Sequence, residues 1–402
     1  MGEEQAVTTN VSEWRRALAG LRDYVLANYL VVAFVVAFTV ALAAPLPGQR
    51  ALEPVVAGVH VVTFINICIV FFISGLTLRT DELRTALTRR NALGTTWGFL
   101  SIVGVTPLLA FGARGLPFSP PEYATGLALF CIVPTTLGVG VSLVTSAKGN
   151  VALAILLTVA TNVLGVIAIP GWLQATLRVG QGGVEDVTIS FLDIFVKLLL
   201  SFFVPTAIGK ALRELCPPAR RFATAHKTGL SVLSNTNLAL LIWQTLSSAR
   251  EIIVSTSFGS MLCVIAGTLA VHLIYLVLNT LVVAALRLPM PEATCVVIMA
   301  SQKARSAPVA VTVITYIAAS TQTQGLLAVP CVIGQLVQIF VGQPLAHDLA
   351  GRTARWHATQ AAAAAAADDG AAVVAGGGGG GGGVVVVEGG GGGKDAEDGG
   401  AR

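Results

Sequence analysis

Long apolar segments alternate with short polar connections along almost the whole chain. A helix needs about 20 predominantly apolar residues to cross the hydrocarbon core of a bilayer. By that measure the pattern predicts an all-α polytopic membrane protein with ten transmembrane helices. The predicted spans are residues 28–44, 54–78, 91–112, 123–146, 151–177, 187–209, 229–247, 256–286, 292–318 and 325–348.

The positive charges between these segments support the count of ten. Sixteen of the 25 Lys and Arg residues fall on the side of the N-terminus, and four lie on the opposite side (Arg50, Arg114, Arg178 and Arg250). Short cytoplasmic loops carry an excess of Lys and Arg. The asymmetry therefore predicts ten spans with both termini on the positive side.

The two ends of the chain differ in composition from the spans. Residues 1–27 combine charged and apolar positions, and this predicts an interfacial helix. Residues 357–402 are runs of Ala, Gly and Val, and this composition predicts a disordered tail. The spans would then make up the folded unit.

Composition narrows the possible functions. Charged residues make up 11% of the chain and hydrophobic ones 54%, against about 25% charged residues in an average soluble domain. This balance argues against a soluble enzyme, a nucleic-acid-binding protein and a disulfide-rich scaffold. The five histidines are isolated, and neither a P-loop nor a nucleophile elbow occurs. The sequence predicts neither an enzyme nor a metal centre.

Two stretches of the chain resemble each other. Residues 116–125 and 288–294 both read Leu-Pro, a bulky residue, Pro-Glu and Ala-Thr, with short insertions, and each opens an apolar run. Five spans separate them, so the copies would cross the membrane in opposite directions. Inverted repeats of this kind are typical of secondary transporters. The alternative is that Pro-Glu merely starts a helix, with the acid facing the positive end of the dipole.

Each copy also interrupts its own helix. The fourth span runs into Pro134, Thr135, Thr136, Gly138 and Gly140. The ninth runs into a polar segment from Ser301 to Pro308. Proline removes an amide donor and glycine loosens the next turn. Freed carbonyls at membrane depth need a cavity lined by protein or water, so the two breaks predict an ion site.

Lys303 is the most unusual residue inside a predicted span. A cation near the bilayer centre costs several kcal/mol on the milder scales and is usually functional. Its predicted partners are carbonyls of the broken helix, an anionic substrate or a coupling proton; the alternative is snorkelling to an interface. Asp193 and Lys197, spaced i, i+4, predict a structural ion pair.

These segments resemble the bile acid:sodium symporter superfamily over about residues 25–350. The likeness is greatest to the plant and algal sodium/metabolite cotransporter-like branch of plastids, itself similar to a vertebrate and fungal branch linked to calcium homeostasis. The resemblance rests on residues 73–79, 126–128, 134–136, 149–154, 158, 162–165, 301–303 and 326–331.

The resemblance implies two inverted five-helix repeats, residues 28–177 and 187–349. A panel domain would comprise residues 28–78 and 187–247. A core domain would comprise residues 91–177 and 256–349 and contain two crossed broken helices. Relative movement of the two domains would give alternating access.

The resemblance also implies where a coupling sodium ion would bind. Thr158 and Gln302 match ligand positions, and the polar residues around the breaks complete the expected set. That set is Thr135, Thr136, Ser142, Thr158, Asn162, Ser301 and Gln302, with Pro134, Gly138, Gly140 and Pro308 as the residues that break the helices.

This chain departs from the family pattern at several ligand positions. Ala154 stands where a serine ligand is expected, Ile298 where a glutamate is expected, and Lys303 where an asparagine is expected. Such changes should weaken the binding of two cations at close range. We therefore expect Lys303 to substitute for a sodium ion or to bind the substrate, with coupling to fewer sodium ions or to a proton.

The sequence thus predicts a secondary carrier of a small organic anion, coupled to sodium or protons and embedded in a lipid bilayer. The alternative is a membrane regulator of calcium homeostasis that shares the fold. The resemblance implies the plastid envelope. However, residues 1–27 contain four acids and no evident transit sequence, so the plasma membrane or an endomembrane stays open, as do substrate and oligomeric state.

Overall fold

The computed structural model describes residues 29–56, 59–79, 92–135, 139–178, 191–303 and 320–376, together with positions 310, 313–315 and 317. The described chain is almost entirely helical. Its only strands are β1 (Val55–Val56) and β2 (Val59–His60), which pair antiparallel with Val55 opposite His60.

The helices of the first half follow the apolar segments. They are α1 (Tyr29–Ala43), α2 (Pro45–Arg50), α3 (Val61–Thr77), α4 (Ala92–Leu100), α5 (Leu109–Arg114), α6 (Glu122–Ile132), α7 (Val139–Ser146) and α8 (Val151–Arg178). Between α4 and α5 the chain forms a π-helix (Ser101–Val105) and a 3₁₀ turn (Thr106–Leu108).

The helices of the second half also follow apolar segments. Its helices are α9 (Phe191–Leu198), α10 (Val204–Leu215), α11 (Pro217–Ala225), α12 (Lys227–Ser248), α13 (Arg250–Ser255), α14 (Phe258–Ala285), α15 (Met290–Ser301) and α16 (Thr321–Gly376). A second π-helix (Leu199–Phe203) joins α9 to α10.

Within the described residues, five helical stretches are long and apolar enough to cross a membrane. They are Ala92–Arg114, Val151–Thr176, Phe191–Leu215, Phe258–Ala285 and Thr321–Ala363. Four shorter apolar helices accompany them: Val32–Ala43, Val61–Thr77, Glu122–Ile132 and Met290–Ser301. The protein is an all-α, multi-pass membrane protein.

The structure describes none of the predicted N-terminal interfacial helix and part of the predicted C-terminal tail. The predicted interfacial helix of residues 1–27 lies outside the described residues. Residues 357–402 are predicted to be disordered, whereas α16 continues as far as Gly376. Alanine is the best helix former, so the Ala run extends a helix that has already begun. The described chain divides into two compact units, which meet between Ala354 and Arg355 in the sequence.

One group of helices packs through close contacts between backbones. Helix α3 lies against α10 and α12, and α12 also lies against α1. A Cβ added to Gly75 of α3 would stand 2.0 Å from the carbonyl oxygen of Thr206, and one on Gly209 would stand 2.2 Å from that of Phe72. The two glycines therefore allow α3 and α10 to approach each other reciprocally.

Basic side chains of α10 extend this contact at the end of α3. Arg213 donates to the carbonyl of Leu76 at 2.9 Å, and Lys210 donates to that of Leu78 at 2.9 Å. Cationic groups are favourable at a helix C-terminus, where the last carbonyls lack helical donors. On α9, Asp193 and Lys197 pair at 2.7 Å, so that prediction is confirmed.

The remaining helices bury the two predicted broken spans. Every residue of α6 from Tyr123 to Ile132 is buried, as are most residues of α15. Helix α8 contacts α6 and α15, and α14 contacts α15. The interrupted helices therefore lie in the protein interior.

Candidate functional site

The two interrupted helices end in the same way. Helix α6 ends at Ile132, and Val133 is extended with φ −65° and ψ 143°. Helix α15 ends at Ser301, and Gln302 is extended with φ −91° and ψ 95°. Pro134 contributes to the first break, because its missing amide removes a donor to the preceding turn. Each break therefore exposes carbonyls at a helix C-terminus.

The two breaks touch each other. The hydroxyl of Thr135 donates a 2.7 Å hydrogen bond to the carbonyl of Gln302, and both residues are buried. The bond joins residues 167 positions apart in sequence. It brings the C-terminal ends of α6 and α15 to one point, which we call the crossing.

Asn162 of α8 supports the crossing from one side. Its amide nitrogen donates at 2.7 Å both to the carbonyl of Thr135 and to that of Thr158. Thr158 is buried, and its hydroxyl donates to the carbonyl of Ala154 at 2.8 Å. The Thr158 hydroxyl proton is thus engaged in a hydrogen bond, while the hydroxyl oxygen keeps lone pairs that can accept a hydrogen bond or coordinate a cation.

Helix α16 supports the crossing from the other side through Gln338. This side chain donates to the carbonyl of Ser301 at 2.9 Å and accepts from the amide of Lys303 at 3.0 Å. The Gln302 side chain in turn donates to the carbonyl of Gln338 at 3.2 Å. Gln338 therefore compensates for the hydrogen bonds that α15 loses where it ends.

His272 of α14 also reaches the break in α15. Its Nδ1 lies 3.2 Å from the carbonyl oxygen of Ser301, and the ring is fully buried. Within the described residues, the other ring nitrogen and the hydroxyl of Ser301 have no hydrogen-bond partner. Buried polar groups are usually satisfied, so these two atoms are available to a ligand.

Lys303 follows the break directly and is fully buried. Its ammonium group donates a 2.7 Å hydrogen bond to the carbonyl of Ile102, in the π-helix between α4 and α5. The side chain thus joins the ninth predicted span to the third. Snorkelling to an interface does not describe this residue.

The other predicted site residues are distributed as follows. Gly140 is buried, and a Cβ there would stand 2.9 Å from the sulfur of Met299, so a small residue permits the close approach of α7 and α15. Ser142 is exposed on α7 and has no hydrogen bond within the described part of the chain. Thr136, Gly138 and Pro308 lie outside the described residues.

A small cleft opens beside the first break. Its walls are mainly apolar, and Asn162 supplies an amide group. The lining residues are Pro134, Asn162, Val166, Ile169, Leu198 and Phe202. The last two belong to α9 and the π-helix that follows it, so the cleft lies between α8 and this part of the chain, with which α8 is also in contact.

Reasoning from the sequence did not identify His272, Gln338 or Ile102 as part of this site. His272 is an isolated histidine in the sequence, and Gln338 is one of several polar residues expected to bond between helices. The carbonyl of Ile102 has a detectable signal only in Pro107, which follows five residues later and removes a backbone donor.

The chain is similar in sequence to known membrane transport proteins. The chain is 34% identical over 282 residues to the Probable sodium/metabolite cotransporter BASS4, chloroplastic, of Oryza sativa subsp. indica, covering 68% of this chain and 65% of the rice protein. The Arabidopsis thaliana protein of the same name is 32% identical over 292 residues, covering 71% and 65%. The match thus spans just under two thirds of the plant relatives' length.

More distant relatives point in the same direction. The Sodium/bile acid cotransporter 7-B of Xenopus laevis is 23% identical over 341 residues, covering 81% of this chain and 92% of its own. The names of these relatives support sodium-coupled transport at the level of the family, which consists of transporters rather than enzymes. Because the family model matches residues 28–351, this chain belongs to the SBF-like CPA transporter family, within the bile acid:sodium symporter superfamily and close to its plant branch.

Proposed function

We propose that this protein is a secondary active transporter that carries a small organic anion together with sodium ions, or protons, by alternating access. The hydrogen bond between Thr135 and Gln302 is the observation that carries the proposal. It joins two helix ends inside an apolar bundle, where unwound backbone is tolerated only if it is buried in protein or lines a cavity. Relatives named as sodium/metabolite cotransporters support the same activity.

The proposed architecture is ten spans arranged as two inverted repeats, residues 28–177 and 187–349. Two observations support it. Helices α6 and α15 each carry a glutamate in the first turn and end in an extended residue. Helix α3 packs on α10 just as α12 packs on α1, which is the pairing expected if the first two spans of each repeat form a panel.

The coupling ion is proposed to bind at the crossing. Thr135 bonds to Gln302, and Asn162 bonds to both Thr135 and Thr158. Ser301 directly precedes Gln302. The hydroxyl, amide and carbonyl oxygens of these five residues therefore lie at the crossing or next to it. Half-helix C-terminal ends and unwound carbonyls are the groups that coordinate sodium in transporters of this kind. Thr136 and Ser142 stay in the proposed set by resemblance, although Ser142 is exposed on α7.

The organic anion is proposed to bind in the cleft beside Pro134 and Asn162. The cleft has a volume of about 10 Å³, which is room for a single water molecule. The anion would therefore enter as the helices on the two sides move apart, and Val166, Ile169 and Phe202 would then contact its carbon skeleton. Positive charge for the anion would come from the bound coupling ion, and Lys303 would act on that ion site rather than contact the anion. For the location we propose the plastid envelope, because the plant relatives are named chloroplastic.

Uptake into proteoliposomes tests this function. The full-length protein should accumulate at least one member of a panel of organic acids when an inward sodium or proton gradient is imposed, and should not do so without a gradient. Uptake of none of them, together with altered calcium entry in cells that lack the gene, would favour the regulator instead.

Thr135→Val tests the role of the crossing. The valine keeps the shape of the side chain but leaves the buried carbonyl of Gln302 without its donor, at a cost of about 1–3 kcal/mol. We expect the sodium concentration for half-maximal uptake to rise about 5- to 150-fold. Thr145→Val is the matched control, because the hydroxyl of Thr145 is exposed and bonds only to its own helix. An equal effect of the two substitutions would contradict the proposal.

A further inference from the structure

The third predicted span contains a turn in which the carbonyl of Ile102 lacks its usual backbone donor. The hydroxyl of Thr106 reaches this carbonyl at 3.3 Å and makes a shorter bond, of 2.7 Å, to the carbonyl of Ser101. In the π-helix Ser101–Val105, the amide of Thr106 donates to the carbonyl of Ser101. That amide would serve the carbonyl of Ile102 in an α-helix. In a continued π-helix the donor to Ile102 would be residue 107, which is proline and has no N–H.

Two neighbouring helices, α8 and α14, hold this turn in place. Trp172 of α8 donates to the carbonyl of Val103 at 2.8 Å, and Tyr275 of α14 donates to that of Thr106 at 3.0 Å. Asn279 accepts from the hydroxyl of Ser101 at 2.7 Å and from the ring nitrogen of Trp97 at 3.2 Å. These bonds are independent of Lys303. The carbonyl of Ile102 is therefore prepositioned as an acceptor.

The crossing itself favours a positive charge. Helices α6 and α15 both end there, and each helix C-terminus carries roughly half a negative elementary charge. In the low-dielectric interior such partial charges attract a cation strongly. Lys303 follows the end of α15 by two residues, and its ammonium donates to the carbonyl of Ile102. This ammonium supplies the cation.

We infer that the ammonium of Lys303 and the carbonyl of Ile102 together fill one cation-binding position of the transporter, so that the protein binds one sodium ion fewer than it would with a neutral residue at this position. This inference rests on the proposed function and specifies the coupling at the same site. The ammonium of Lys303 then compensates for the partial negative charges of the two helix ends, even when no sodium ion binds at this position.

A direct contact between Lys303 and the organic anion fits the geometry less well. The hydrogen bond of the ammonium goes to the backbone of the third span, and Lys303 is not among the described residues that line the cleft. Asn162 and Pro134, which do line it, belong to the other break. Lys303 therefore acts on the ion site rather than on the carbon skeleton of the substrate.

Counting sodium ions bound to the purified full-length protein tests the inference without any transport measurement. Equilibrium binding of radioactive sodium should give one more ion per chain for Lys303→Ala than for the wild type, because the substitution removes the ammonium and opens space beside the carbonyl of Ile102. Lys303→Arg keeps the charge and should give the wild-type number.

Lys197→Ala is the matched control. Lys197 also lies in a predicted span but pairs with Asp193 on the same helix, so its loss should not change the number of bound ions. If Lys303→Ala does not yield monodisperse protein, Lys303→Gln serves the same purpose, since it removes the charge and keeps most of the side-chain volume.

Equal numbers of bound sodium ions in the wild type and in the neutral variants, including none in either, would overturn the inference. A rise from zero to one would support it and would indicate that the wild-type carrier uses another ion. Failure of the proposed function is distinguished by the liposome experiment, in which the wild type would carry no organic acid under any gradient.

Discussion

Asn162 shows how one side chain determines the geometry of a broken helix. Its amide satisfies the carbonyl of Thr135, which follows the end of α6, and also contacts the carbonyl of Thr158 one turn away on its own helix. The first carbonyl has lost its helical environment, while the second lies within a regular helix. Only the first contact therefore compensates for a missing backbone hydrogen bond.

Asn162→Leu should lower the free energy of unfolding by about 1–3 kcal/mol, because the buried carbonyl of Thr135 loses a donor. Asn237→Leu is the control, since the amide of Asn237 bonds only to Leu233 on its own helix and should cost less. Thermal unfolding of the purified variants measures the difference. An equal loss from both would mean that Asn162 has no special role at the break.

Among the secondary-structure elements, α3 and α10 pack with their backbones in close contact. Their contact depends on glycines that face carbonyl groups of the opposite backbone, Gly75 facing Thr206 and Gly209 facing Phe72. A backbone carbonyl in a helix cannot rotate away as a side chain can. The distance between the two axes is therefore limited by these two positions.

Gly75→Ala should destabilise the protein by about 1–3 kcal/mol, because overpacking forces the helices apart. Gly112→Ala is the matched control: no atom lies within 4 Å of its added Cβ, and alanine is the better helix former by up to about 1 kcal/mol. The two unfolding temperatures should move in opposite directions. A Gly75→Ala protein as stable as the wild type would contradict this view of the contact.

At the scale of the whole molecule, transport by alternating access requires one group of helices to move against another. The cleft lies between Val166 on α8 and Phe202 on the segment before α10, and we propose that two such groups move apart there. The proposed panel, by contrast, has internal contacts such as the hydrogen bond of 3.2 Å from Thr63 to Gln244. Movement should therefore increase the distance between Val166 and Phe202 and leave the distance between Thr63 and Gln244 unchanged.

A reducible bifunctional cross-link between cysteines at positions 166 and 202 should abolish uptake, and reduction should restore it. The experiment uses a background in which the six native cysteines are replaced. Cross-linking cysteines at positions 63 and 244 should leave uptake unchanged. Persistent uptake by the protein linked at 166 and 202 would exclude movement at the cleft.

Much of the site could be predicted from local sequence. Pro134 marks the end of α6 because it lacks an amide, and Glu122 and Glu292 mark the starts of the two interrupted helices. Lys303 is conspicuous because a charge inside an apolar span needs compensation. These features depend on a residue and its near neighbours, so they can be read along the chain.

The partners in the site could not be predicted in this way. Ile102 is 201 residues from Lys303, and it contributes a carbonyl group that every residue possesses. His272 and Gln338 are common polar residues whose bonds to Ser301 depend on how α14 and α16 pack. The extent of α16 also differs from the prediction, because the low-complexity composition predicts disorder whereas alanine favours a helix.

Hydropathy and the missing amide of proline act over a few residues, so the amino-acid sequence is enough to predict a helical membrane protein with helix interruptions near Pro134 and Ser301. That the two interruptions meet through Thr135 and Gln302, and which carbonyl receives Lys303, follows from the packing of the helices. Those contacts join distant segments through main-chain atoms, which are the same at every position until packing determines which of them lack a partner.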